Sequence, residues 1–178
     1  MDVLSHGLWA VAAGKGARVD TATKLNLRWA FFWGVFPDIF AFAPIFILRF
    51  IPGIFTGISR LAPTGLEPWT PDFDTLSNAT QYLYQLSHSL IIYAAIILIV
   101  WLLRKKVSLG MFGWLMHILA DVPTHSYKFY STPVFWPLYD WKFDGFSWGS
   151  GYFEIYNYIA LIIVFALLYL VTRLRKNS

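Results

Sequence analysis

The chain has 178 residues, of which 57% are hydrophobic, 20% aromatic and only 13% charged. Soluble domains carry about 25% charged residues, so this composition, with a mean hydropathy of +0.53, argues against a soluble enzyme, a nucleic-acid binder or a disordered segment despite the net charge of +4. The absence of cysteine rules out disulfides, zinc ribbons, iron–sulfur clusters and thiol catalysis, and His6, His88, His117 and His125 are the only histidines.

Val3 to Ala13 is apolar but too short to cross a bilayer. Without a basic leader it reads as a short interfacial or re-entrant helix, not a signal peptide. Trp29 to Phe50 is long enough to span and is interrupted by Pro37-Asp38 and Pro44. Leu90 to Leu103 stops at Arg104-Lys105-Lys106. Extended back through His88 to Tyr82, it reaches the roughly 20 residues that one crossing needs. Leu109 to Val122 ends at Pro123; as a helix it rises about 21 Å, so it barely spans or sits inside a bundle. Ile155 to Val171 is the longest run and is closed by Arg173, Arg175 and Lys176. The expected architecture is all-α: a polytopic membrane bundle of about four spanning helices plus a short N-terminal helix, forming a single domain over residues 1–178.

A four-span arrangement puts ten basic residues on one side and leaves Arg49, Arg60, Lys128 and Lys142 on the other. That bias marks a cytoplasmic face, so both termini are expected there, in the inner (plasma) membrane of a bacterium or archaeon. The loops around Pro52 to Asp74 and Thr124 to Gly151 are then external. The second is dense in aromatic residues, among them Tyr130, Trp136, Tyr139 and Trp141, as suits the lipid headgroup layer.

An ionisable residue inside an apolar segment requires an explanation. In His117-Ile-Leu-Ala-Asp121-Val-Pro-Thr-His125 the first pair is four residues apart, so both project from one helix face. Imidazole and carboxylate at this spacing either bond each other or hold a zinc-like ion, and the carboxylate can bridge to a second. His88 and Asp121 lie about 24 and 22 Å from the basic ends of their helices, a similar depth. His88 is thus either an interfacial histidine or a partner of that pair. Asp38, about 15 Å above Arg28, follows a proline that frees backbone groups, and is either a local cap or a ligand. His6 is either an interfacial residue or reaches the pocket on a helix that Gly7 lets pack closely.

The ordered set His6, Pro37-Asp38, Ser87-His88-Ser89 and His117-x-x-x-Asp121, followed by Trp136-Pro137, resembles the YdjM-like family of inner-membrane metal-dependent hydrolases. That family is similar in motif order to the zinc-dependent phospholipases C and their nuclease relatives. The resemblance covers roughly residues 1–140. It implies His6, Asp38, His88, His117 and Asp121 as metal ligands, with His125 as a further candidate. Two departures stand out. No histidine follows His125, where the soluble phospholipases add a His-x-x-x-Glu, so one or two ions are expected and not three. The stretch Gln85-Leu86 before Ser87 replaces the family's usual Arg-Gly.

The function expected is hydrolysis of a phosphoester in a lipid or lipid-linked compound. The ion is zinc-type, with manganese as the alternative. Asp38 or Asp121 would orient the attacking water. Lys128, Lys142 and Arg60 would receive phosphate charge, with Trp136 and the aromatic loop guiding a lipid headgroup. Membrane lipid is the expected partner and nucleic acid is not, because the basic clusters border apolar spans. Two other readings are a transporter for a metal ion or proton, and a non-catalytic scaffold with a structural metal. The sequence contains no Gly-x-Ser-x-Gly elbow, phosphate loop or Rossmann fingerprint.

Overall fold

Asp2 opens the first helix. Its Oδ1 accepts the Ser5 amide at 3.0 Å, satisfying one of the free donors of the first turn. The computed structural model describes residues 1–20, 25–45, 47, 75–128, 130–149 and 151–177. Helix α1 covers Val3–Asp20, further than the apolar run alone suggests. Asn26 starts α2 (Leu27–Ile45) by accepting the Arg28 amide at 3.0 Å. Then follow α3 (Thr75–Ser87), α4 (Leu90–Arg104), a 3-10 turn (Leu109–Met111), α5 (Phe112–Thr124) and α6 (Phe153–Asn177). The described residues contain six α-helices and no strand.

Helix α2 is the centre, packed against α1, α3 and α5. Gly113 allows the α2–α5 approach, because a Cβ there would lie 2.3 Å from the Ala30 carbonyl oxygen. Met111, Trp114 and Ile118 are buried beneath this contact, with Trp33, Phe36 and Tyr93 packed around them. The Trp33 and Trp114 rings stack 5.7 Å apart and 4° from parallel. The Trp114 indole donates to the Ser87 carbonyl at 2.6 Å, so the aromatic core also holds the end of α3.

That end is where expectation and structure part. Residues 82–103 do not form one straight helix; the chain breaks at Ser87-His88-Ser89. Ser89 caps α4 by accepting the Ile91 and Ile92 amides at 3.1 and 3.3 Å, and the Leu90 amide turns to the Val134 carbonyl at 2.9 Å. The serines on either side of His88 compete for backbone groups and end the ladder. The segments Asn78–Ser87 and Leu90–Arg104 therefore meet at 60° and are apolar enough for a crossing only as a pair.

Among the described residues, one helix is long and apolar enough to cross a membrane by itself: Phe153–Arg175 of α6, with a mean hydropathy of 2.2. Helix α5 has 13 residues, too few to span. Helix α2 has Arg28, Asp38 and two internal prolines to dilute its apolar character. Where about four spanning helices were expected, the described residues thus contain one helix and one bent pair that meet this length and composition. Helix α4 has no buried residue, and α6 exposes Ile162 and Leu174, as helices facing lipid do.

Helices α1 and α6 run parallel. Tyr158 donates to Asp2 at 3.0 Å, Trp9 Nε1 donates to Asn157 at 2.8 Å, and the Lys15 ammonium lies over the Phe165 ring at 5.3 Å. Met1 and Asn177 therefore stand at opposite ends of this pair.

Candidate metal centre

Four chain segments meet at one buried point. Helix α1 brings His6, α2 brings Asp38, the α3–α4 break brings His88, and α5 brings His117 and Asp121. All five are buried. The Ser87 hydroxyl donates to the Leu83 carbonyl at 2.9 Å and approaches the Pro37 carbonyl at 3.2 Å, which ties the break to α2 beside Asp38.

Asp38, His88, His117 and Asp121 form a group able to hold one ion, each offering an atom within 4.8 Å of the others. The two imidazole Nε2 atoms are 3.0 Å apart. Asp121 Oδ2 lies 3.1 Å from His117 Nε2 and 3.4 Å from His88 Nε2. Asp38 Oδ1 lies 3.5 Å from His88 Nε2 and 3.6 Å from His117 Nε2. A tetrahedral zinc site with ligands at about 2.0–2.1 Å has edges of about 3.3–3.4 Å. The five distances scatter around that value.

Proton placement points the same way. His117 Nδ1 faces the Gly34 carbonyl at 2.6 Å, and His88 Nδ1 faces the Tyr84 carbonyl at 3.1 Å. A carbonyl only accepts, so a neutral His117 carries its proton on Nδ1 and a lone pair on Nε2; His88 Nδ1 also has the Ser87 hydroxyl at 2.9 Å. Two imidazole nitrogens and two carboxylates thus converge, and Asp121 Oδ2 is buried without a hydrogen bond. Such a set suits a cation. An imidazole held from behind by a carbonyl is also the usual support of a metal-ligating histidine.

The other oxygen of Asp121 gathers a second set. His6 Nε2 lies 2.9 Å from Oδ1, His125 Nδ1 3.2 Å and the Met1 amine 3.3 Å. His6 approaches off its N–H axis, so neither of its ring nitrogens has a hydrogen-bond partner. Its ring stacks on His117 with centroids 3.7 Å apart. His125 is carried just past α5, where the Gly145 amide bonds its carbonyl at 2.9 Å. A Cβ on Gly145 would lie 2.3 Å from the Pro123 oxygen, so only glycine lets the loop after α5 close on this helix end.

Three of the four substrate-side residues expected from sequence lie among the described residues. Lys128 is exposed. Lys142 pairs with Asp140 at 3.2 Å. Trp136 packs edge-on to Tyr82 with ring centroids 5.8 Å apart. Arg60 and the loop from Pro52 to Asp74 lie outside the described residues.

Sequence reasoning missed one group beside the metal ligands. The Tyr84 ring stacks on His88 at 3.7 Å, its hydroxyl lies in hydrogen-bond reach of Thr132, and the hydroxyls of Thr80 and Ser126 are buried without hydrogen-bond partners. Stepping back in fours from His88 through Tyr84 to Thr80 would have found two of them.

The YdjM inner membrane protein family matches residues 1–178. The chain belongs to that family. No curated protein and no solved structure matches it. As a YdjM family member it is an inner membrane protein, in keeping with the lipid-facing surface of α6. Its buried Asp/His cluster can bind a metal ion.

Proposed function

We infer that this protein is a membrane-embedded, metal-dependent hydrolase of a phosphoester in a lipid or lipid-linked compound. The observation that carries this reading is the convergence of two imidazole nitrogens and two carboxylates in one buried group. Asp38, His88, His117 and Asp121 would hold a zinc-type ion, and Asp121 would bridge to a second held with His6 and His125. An ion in such a site supplies a Lewis acid for a phosphoryl oxygen and lowers the pKa of a bound water towards ~7. Asp38, with the two longest distances to the imidazoles, is the carboxylate best placed to orient a water. The buried hydroxyls of Tyr84 and Thr132 are donors suited to phosphoryl oxygens. The motif order shared with zinc-dependent phospholipases C supports a phosphoester as the bond cleaved.

In the membrane, α6 would cross with Arg173 and Arg175 on the cytoplasmic side. Helix α1, parallel to it, carries Lys15 and Arg18 towards the same side, with α2, α5 and the bent α3–α4 pair completing the bundle. The ligands then stand about 14–24 Å along their helices from the basic ends, from the middle into the outer half of a core about 30 Å thick.

The test is headgroup release from a panel of phospholipids and lipid-linked pyrophosphates by zinc-loaded protein in proteoliposomes. The expected result is release that a chelator stops and that Asp38→Asn lowers about 100-fold or more. Metal-loaded protein that cleaves none of the panel overturns the reading and leaves a structural metal in its place.

A further inference from the structure

Helices α5 and α6 both pack on α1 but do not touch each other. Between them lies a cavity of about 450 Å³, floored by Trp9, walled by Met116 and Ala120 on one side and by Phe153 and Ala160 on the other. Its lining is almost wholly apolar, and it also includes His6, Thr124 and Asn157. One end therefore adjoins the second oxygen of Asp121, through His6 at 2.9 Å. The other opens along Tyr156 and Ala160, within the segment of α6 able to cross a membrane.

An apolar cleft of this kind stays dry, and beside a helix able to cross a membrane the surrounding medium is acyl chain. The occupant must be apolar along its length and polar where it reaches His6 and Thr124. One further group marks that polar zone. Asn157 is more than nine-tenths buried; its Oδ1 accepts from Trp9, and its Nδ2 is buried with no hydrogen-bond partner. A free amide donor at the wall of a dry cleft suits an ester carbonyl oxygen.

We propose that the cleft between α5 and α6 binds an acyl chain of a glycerolipid, so that the metal centre opens sideways into the bilayer and takes acylated substrates from it. This rests on the hydrolase reading for the word substrate, but not for the binding of the chain.

The probe is a phosphatidylglycerol bearing a diazirine at its acyl terminus, photolysed in phosphatidylcholine vesicles that hold the full chain, with labelled residues mapped by mass spectrometry. Label is expected at Met116, Ala120 and Ala160 above the level at the outward-facing Ile162 and Ile163. Ala160→Trp, which fills the cleft, is expected to lower the label at Met116 and Ala120 about tenfold while bound metal and the label at Ile163 stay at wild-type values. Label spread evenly over the lipid-facing residues, or cleft label unmoved by Ala160→Trp, overturns the proposal. So does a cleft cross-linked to a second polypeptide in place of lipid. Enriched cleft label in a protein that cleaves no phosphoester would sustain the acyl site and remove the hydrolase reading alone.

Discussion

At the scale of residues, Asp121 holds the site together, with one oxygen turned to His88 and His117 and the other to His6 and His125. Asp121→Asn keeps the shape and removes the charge. It is expected to abolish metal binding, measured by elemental analysis, while helicity by circular dichroism stays unchanged. Tyr84→Phe separates ligation from catalysis. It is expected to retain the metal and to lower turnover roughly 10- to 100-fold through loss of one donor; an unchanged rate would take the hydroxyl out of the site. The His117-x-x-x-Asp121 pair was legible because the helical repeat alone puts both groups on one face. The roles of Gly34 and Tyr84 were not, since both act on the histidines through backbone carbonyls, which sequence patterns do not display. Lys142, set aside for substrate phosphate, is already paired with Asp140.

At the scale of elements, the site depends on two local devices. The first is the break at His88, where Ser89 caps α4 and also donates to the Trp136 carbonyl. Ser89→Ala is expected to destabilise the protein by about 1 kcal/mol and to weaken metal affinity, read as a lowered thermal midpoint and a raised metal Kd. The second is the tight α2–α5 approach at Gly113. Gly113→Ala would place a carbon 2.3 Å from a backbone oxygen, and a loss of at least about 2 kcal/mol is expected, read by thermal unfolding in detergent. The apolar run around residues 82–103 looked continuous because hydropathy does not register capping, and two serines around a histidine dilute it too little to show a 60° bend. The reach of α1 to Asp20 was hidden for a related reason: its last turns are polar and small, so they are helical without being apolar.

At the scale of the whole molecule, the membrane character and the all-helical class were plain in a composition of 57% hydrophobic and 13% charged residues. The pairing of the helices was not, because charge bias counts sides and says nothing of which helices lie together. The parallel α1–α6 pair puts Lys15 near Phe165 and Met1 beside the metal ligands. The chain has no cysteine, so single cysteines report topology without background. Arg175→Cys is expected to react with an impermeant maleimide only from the cytoplasmic side, and Tyr139→Cys only from the outside; the reverse pattern would invert the proposed orientation. The central claim is that the buried Asp/His set is a metal centre, and elemental analysis of the protein purified in mild detergent without chelator tests it most directly. The account predicts at least about one divalent ion per chain, lost on His117→Ala with the helices intact. Folded wild-type protein that holds no metal, even after zinc or manganese is supplied, would contradict it.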